Sequence, residues 1–125
     1  EGLRYAVEAH RRRKWHTSGV LPWQFNEAWP NTACTNVVDW FGVPRPAYFW
    51  LKRAYAPLHV SARYDTLEWH GRPEFRAELW LHHSGDERPL SSFLNVLVTV
   101  SDLTGRIFYQ ENLAAEAPVR GAELL

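Results

Sequence analysis

The sequence predicts an α+β chain in two consecutive parts: helix–strand–helix over residues 1–57, then an antiparallel β-sandwich over residues 58–125. Three observations carry that fold class. Apolar residues recur at helical spacing in "EGLRYAVEAH" and again in "PRPAYFWLKRAYAP". After Pro57 the apolar period changes from about 3.6 to about 2. The alternating runs are separated by "HGRP", "SGDERP" and "SDLTG", whose Gly, Pro, Asp and Ser residues carry turn chemistry.

Each element follows in order. Leu3, Ala6, Val7 and His10 fall on one face of the first helix, and "RRRK" (Arg11 to Lys14) lies near its end. Basic side chains there complement the helix dipole, and Gly19 supplies the expected stop. A basic run can bind phosphate, but balancing charges elsewhere favour a solvated helix end. "GVLPWQFN" is short and apolar, and reads as a buried strand. Pro22 removes a ladder donor, which predicts a bulge or an irregular strand start. "EAWPNTACTNVVDWFGVP" reads as loop. The second helix has Pro46 in its first turn and Pro57 as its stop, with Lys52 and Arg53 toward its C-terminal end.

In the second part, "HVSARYD" sets Val60, Ala62 and Tyr64 against Ser61, Arg63 and Asp65. "EFRAELWLHH" sets Phe75, Ala77, Leu79 and Leu81 against Arg76, Glu78, Trp80 and His82. "FLNVLVTVSD" places Leu94, Val96, Val98 and Val100 on one face, and "RIFYQEN" supplies a further strand. An immunoglobulin-like sandwich has about seven strands. Fewer are legible here, so the sandwich reads as incomplete.

At 125 residues the chain is one domain by size, or parts of two. Fourteen basic residues balance fourteen acidic ones, which disfavours a nucleic-acid or anionic-membrane partner. The single cysteine, Cys34, excludes an internal disulfide and a cysteine-based zinc cluster. No apolar run approaches the roughly 20 residues that span a bilayer. No cofactor and no metal is expected. The chain has no methionine, which predicts a segment of something longer; a signal peptide would then lie outside it.

The candidate site is "WQFNEAWPN", Trp23 to Asn31, where a carboxylate sits beside an amide between aromatic residues. That combination suits a sugar. A retaining glycosidase needs two carboxyl groups roughly 5–5.5 Å apart. Glu27 lacks such a partner, because Glu8 lies on the preceding helix and Asp39 in the following loop. Glu27 lies at a strand's C-terminal end, where a (β/α)₈ barrel puts its chemistry; only one helix follows before the sandwich begins, so this strand reads as the last of such a barrel and Glu27 as a rim residue. No catalytic residue is expected within the chain.

"SGVLPWQFNEAWPN…VVDWFGVPRPAYFWLKRAYAPLHV" resembles the closing strand and helix of the barrel in glycoside hydrolase family 2, closest to its β-mannosidase-like branch. The likeness covers roughly residues 2–65. It implies that residues 1–57 are the last βα unit of a (β/α)₈ barrel and residues 58–125 the start of an immunoglobulin-like C-terminal domain. The parent enzyme would be a retaining, exo-acting β-mannosidase whose two glutamates lie on earlier strands. Its partners would be the carbohydrate substrate and the remaining domains of the same polypeptide. The resemblance further implies that Trp23 floors the sugar site, that its peptide bond to Gln24 is cis, and that Asn26 and Glu27 contact hydroxyls with Trp29 beside them.

The alternative is a non-catalytic carbohydrate-binding or interaction module, with the sandwich as the working part and Trp69 and Trp80 as its sugar-binding face. Otherwise Trp15, Trp40, Trp50, Trp69 and Trp80 are expected to pack internally. His82 and His83 are adjacent on a strand and point to opposite faces, which disfavours joint metal binding. Cys34 has no spaced histidine partner and reads as inert. A lone barrel strand would leave apolar faces uncovered, so residues 1–57 are expected to pack poorly or to self-associate.

Overall fold

The computed structural model describes residues 1–31, 35–85 and 93–125. Cys34 and the later part of the "SGDERP" turn, from residue 86, lie outside the described residues. Two helices, α1 (Gly2–Arg12) and α2 (Pro46–Ala54), precede five strands. These are β1 (Leu58–Tyr64), β2 (Ala77–His83), β3 (Phe93–Ser101), β4 (Ile107–Glu116) and β5 (Gly121–Leu124). Strands β1, β2 and β5 form one antiparallel sheet in that order, and β3 pairs with β4 in a second.

The helices keep their expected places with one correction. Pro46 opens α2 from an extended Arg45, as the steric demand of the proline ring on its predecessor requires. Helix α1, however, ends at Arg12, well before Gly19. Arg13 leaves the helix at φ −99° and Trp15 takes φ 75°, a left-handed value rare for a bulky residue. The Arg13 carbonyl accepts bonds from His16 N and Thr17 N at 3.0 Å, which closes the turn without glycine.

The strand expected over residues 19–26 does not form. Asn26 makes one isolated parallel bridge to Val38, while Leu21 is 95% exposed. A short apolar run has no periodicity that separates a buried strand from an extended segment. Among the described residues no strand lies beside it to complete a ladder. The core of this part is small: Val7 from α1, Leu51 and Ala54 from α2, and Val37 from the loop between them, flanked by Val20, Val38, Ala47 and Tyr48. Leu21, Phe25 and Phe41 remain largely exposed around it.

In the β part, Leu94, Val96, Val98 and Val100 are half-buried and the residues between them exposed, as the alternation predicts. Val98 and Val100 face Leu79 of β2 and Leu124 of β5 across a cavity of about 650 Å³ between the sheets. Strand β2 buries Leu81 on its apolar face, 1% exposed, and β1 and β2 cover their polar face as well. Ser61 and His82 are 3% and 1% exposed because α1 lies over them. Arg12 donates to Ser61 Oγ at 2.9 Å, Ser61 Oγ lies 2.7 Å from His82 Nε2, and His59 Nε2 lies 2.9 Å from Glu8 Oε1.

The basic run at the end of α1 is thus a joint, not a solvated helix end. Arg11 donates to the carbonyl of Ala54, to that of Pro57 at 3.2 Å and to Ser84 Oγ at 3.0 Å. It covers the C-terminal end of α2, where carbonyls lack helical partners. Lys14 donates to the His83 carbonyl at 3.3 Å. Whole-chain charge balance says nothing about such contacts, which depend on which surface the helix end meets.

Arg12 fills one of the two acceptor sites of the Ser61 hydroxyl, and the direction of the Ser61–His82 bond follows the imidazole tautomer. His82 Nδ1 is buried without a partner among the described residues. Burial first, then the charges of Arg11, His59, Arg12 and Lys14, push its pKa down to about 3. His83 turns elsewhere, with Nδ1 2.8 Å from the Val119 carbonyl. Trp15 and Trp40, expected to pack, are 73% and 49% exposed.

Candidate functional site

The Trp23–Asn31 segment is held by the loop that follows it. The Phe25 carbonyl accepts bonds from Val37 N and Val38 N at 3.0 Å, and Glu27 N donates to the Val38 carbonyl at 3.2 Å. The loop folds back on itself between Val38 and Pro44. Asp39 Oδ1 accepts from Val43 N at 2.8 Å, and Gly42 takes φ 79°, where a side chain would be strained. Behind the segment, Pro22, Phe25, Val37, Tyr48, Leu51 and Tyr55 line a cavity of about 290 Å³.

Glu27 points inward. It is 5% exposed, and both carboxylate oxygens are engaged: Oε1 accepts from Arg45 at 2.7 Å and Oε2 from Trp40 N at 2.9 Å. A hydrogen bond from the Asn36 side chain, the Trp40 N–H and the charge of Arg45 hold its pKa below the ordinary carboxylate value. Glu27 is therefore an ionised acceptor that ties residues 36, 40 and 45 to the segment. Glu8 is committed to His59, with Arg4 at 3.5 Å, and Asp39 to its own turn.

The other predicted site residues face solvent. Trp23 is 84% and Trp29 65% exposed, and Asn26 is exposed, with its Nδ2 3.4 Å from the Glu27 carbonyl. The Trp23–Gln24 peptide bond is cis, as the resemblance implies. The structure thus carries Trp23, Asn26 and Trp29 on one outward-facing segment and turns Glu27 behind it. Sequence reasoning missed Asn36, Trp40 N and Arg45 as partners of Glu27. Arg45, directly before the proline that starts α2, was the one available signal, since a buried carboxylate needs a cation or several donors.

Exposed indoles beside a carboxamide, on a backbone fixed by a buried charge, suit a ligand with apolar C–H faces and hydroxyls. The relationship that the sequence carries is to glycosidases, and it runs specifically to β-mannosidases. The chain is 35% identical over 79 residues to "Beta-mannosidase B" of Emericella nidulans, 37% over 79 residues to that of Aspergillus niger, and 35% over 82 residues to that of Aspergillus flavus. These alignments take in 56–58% of the chain and 9–10% of each relative. The chain therefore spans only about a tenth of the length of the curated relatives it matches. No family model matches it.

Proposed function

We propose that this chain is part of a longer retaining, exo-acting β-glycosidase of glycoside hydrolase family 2 that removes terminal β-D-mannosyl residues. The observation that carries this is the 35–37% identity to β-mannosidases. Residues 1–57 contribute the closing unit of the catalytic barrel and residues 58–125 part of an immunoglobulin-like domain. Trp23 offers its indole to the C–H face of the sugar, and Asn26 and Trp29 contact its edge. Glu27, whose carboxylate faces inward, acts as a positioning residue that sets the backbone on which those three stand. Acid/base and nucleophilic glutamates come from the rest of the polypeptide, so this segment alone is inactive.

The test is to isolate the native polypeptide with an antibody to this segment, then measure its mass and its hydrolysis of aryl β-D-mannoside, galactoside and glucuronide. A mass several times 14.6 kDa with preference for the mannoside is expected. A native polypeptide of that smaller mass, or a long one that is silent on the mannoside, overturns the proposal.

A further inference from the structure

The connection from β1 to β2 holds a concavity unrelated to the Trp23 segment. Asp65, Trp69, Arg72, Pro73, Glu74 and Arg76 line a space of about 210 Å³. Trp69 is half-buried and braced from behind, with its ring 4.8 Å from that of Phe75, which itself lies 5.9 Å from Tyr64. Gly71 at φ 71° turns the chain there, and Arg72 N donates to the Trp69 carbonyl at 3.1 Å. Glu74 and Arg76 pair with each other, Arg76 Nε donating at 2.9 Å. Among the described residues, the Asp65 carboxylate and the Arg72 guanidinium have no side-chain partner. Trp80 stands apart from this cavity, on β2, donating to Glu78 at 3.0 Å.

We infer that this concavity is a second carbohydrate site, which takes one neutral pyranose unit of a polysaccharide. Its lining carries no net charge, since Glu74 and Arg76 offset each other and Asp65 and Arg72 are of opposite sign, so it offers no field that favours an anion or a cation. A neutral polyol needs no such field. Each hydroxyl both donates and accepts, so one ring serves the free Asp65 as donor and the free Arg72 as acceptor, in the stronger charge-assisted form. Trp69 and Pro73 supply the apolar wall that a pyranose C–H face needs. None of these residues overlaps the Trp23 segment, and the choice of a mannan as probe rests on the reading proposed above.

Affinity electrophoresis of the native-length polypeptide in galactomannan gels tests it. Retardation is expected, reversed by methyl mannoside and not by glycine or phosphate. Trp69→Ala abolishes it. Asp65→Asn and Arg72→Ala, which leave no partner unpaired and so preserve folding, each weaken it by roughly tenfold or more. Trp23→Ala leaves this retardation in place while lowering hydrolysis, which separates the two sites. Absent retardation, retardation insensitive to Asp65→Asn and Arg72→Ala, loss on Trp23→Ala alone, or displacement by glycine overturns the inference.

Discussion

Acidification from about pH 7.5 to about pH 5 is expected to weaken the joint between α1 and the β1–β2 sheet through one residue. His82 is 1% exposed, has its Nε2 2.7 Å from the Ser61 hydroxyl and faces the cations Arg11, Arg12 and Lys14, with the His59 ring 6.0 Å away. Its folded pKa is about 3 against 6.5 for the unconstrained side chain. The folded pKa is depressed, so the unfolded chain binds the extra proton and stability falls as pH falls below the unfolded value. The slope approaches ~1.4 kcal/mol per pH unit, and the loss by about pH 5 is ~2 kcal/mol, a shift of roughly 6–10 °C in melting temperature.

Urea unfolding across that range, on the wild type and on His82→Gln, measures the effect. Glutamine keeps an acceptor for Ser61 and removes the titration, so the variant curve is flatter by the amount attributed to His82. Glu27, Glu78 and Asp102 are all held below their ordinary carboxylate values, so their own loss of stability falls at lower pH. Parallel wild-type and variant curves above about pH 5 would refute the assignment of a neutral, buried His82.

Three further outcomes are expected. Glu27→Gln removes the charge that Arg45, Asn36 and Trp40 N surround, so the loop of residues 35–45 loosens and limited proteolysis cuts there first; an unchanged digestion pattern would deny Glu27 its positioning role. Arg11→Ala uncovers the carbonyls of Ala54 and Pro57 and lowers unfolding stability by about 2 kcal/mol, read from denaturant midpoints. Trp23→Ala in the native-length polypeptide lowers kcat/KM on aryl β-D-mannoside by roughly 30- to 100-fold, measured beside the melting temperature so that loss of folding is separated from loss of sugar contact.

Local chemistry was legible where a residue acts on its own neighbours. Pro46 marked the start of α2, and the alternation of Leu94 to Val100 marked the inward face of β3. The outward-facing Trp23, Asn26 and Trp29 were named from the motif, and their part in sugar binding rests on the proposal above. Interactions between distant residues were not legible. Arg11 and Arg12 looked solvated because nothing in "RRRK" announces Ser61, Ser84 or the end of α2, which come some 40 to 70 residues later. Period-2 alternation in "HVSARYD" separates two faces of β1 and leaves open which one is covered; the histidine–serine face is buried because Glu8 and Arg12 supply partners for it. Glu27 turned inward for the same reason, since Arg45 and Trp40 N reach it from 18 and 13 residues away.

Taken together, these contacts make α2 a strut between the outward-facing segment and the sheet. Its nine residues span roughly 13 Å. At one end Arg45 holds Glu27, and so the backbone that carries Asn26 and Trp29. At the other end Arg11 grips the Ala54 carbonyl and bonds to Ser84 just beyond β2, while its neighbour Arg12 reaches Ser61 on β1. Between the ends, Leu51 and Ala54 pack on Val7 and Val37. A polar joint of this kind is directional in a way that apolar packing is not, because each guanidinium has one geometry that satisfies all its acceptors. Sliding α1 along the sheet would take Arg12 from Ser61 and His59 from Glu8, a cost of about 1–3 kcal/mol for a buried neutral group left short of a partner and more for a carboxylate. The sheet therefore fixes the orientation of α1, α1 fixes that of α2, and α2 fixes the loop behind Trp23. That chain of contacts gives the β part a physical task in the proposed enzyme: holding the sugar-facing segment in place without touching the sugar there.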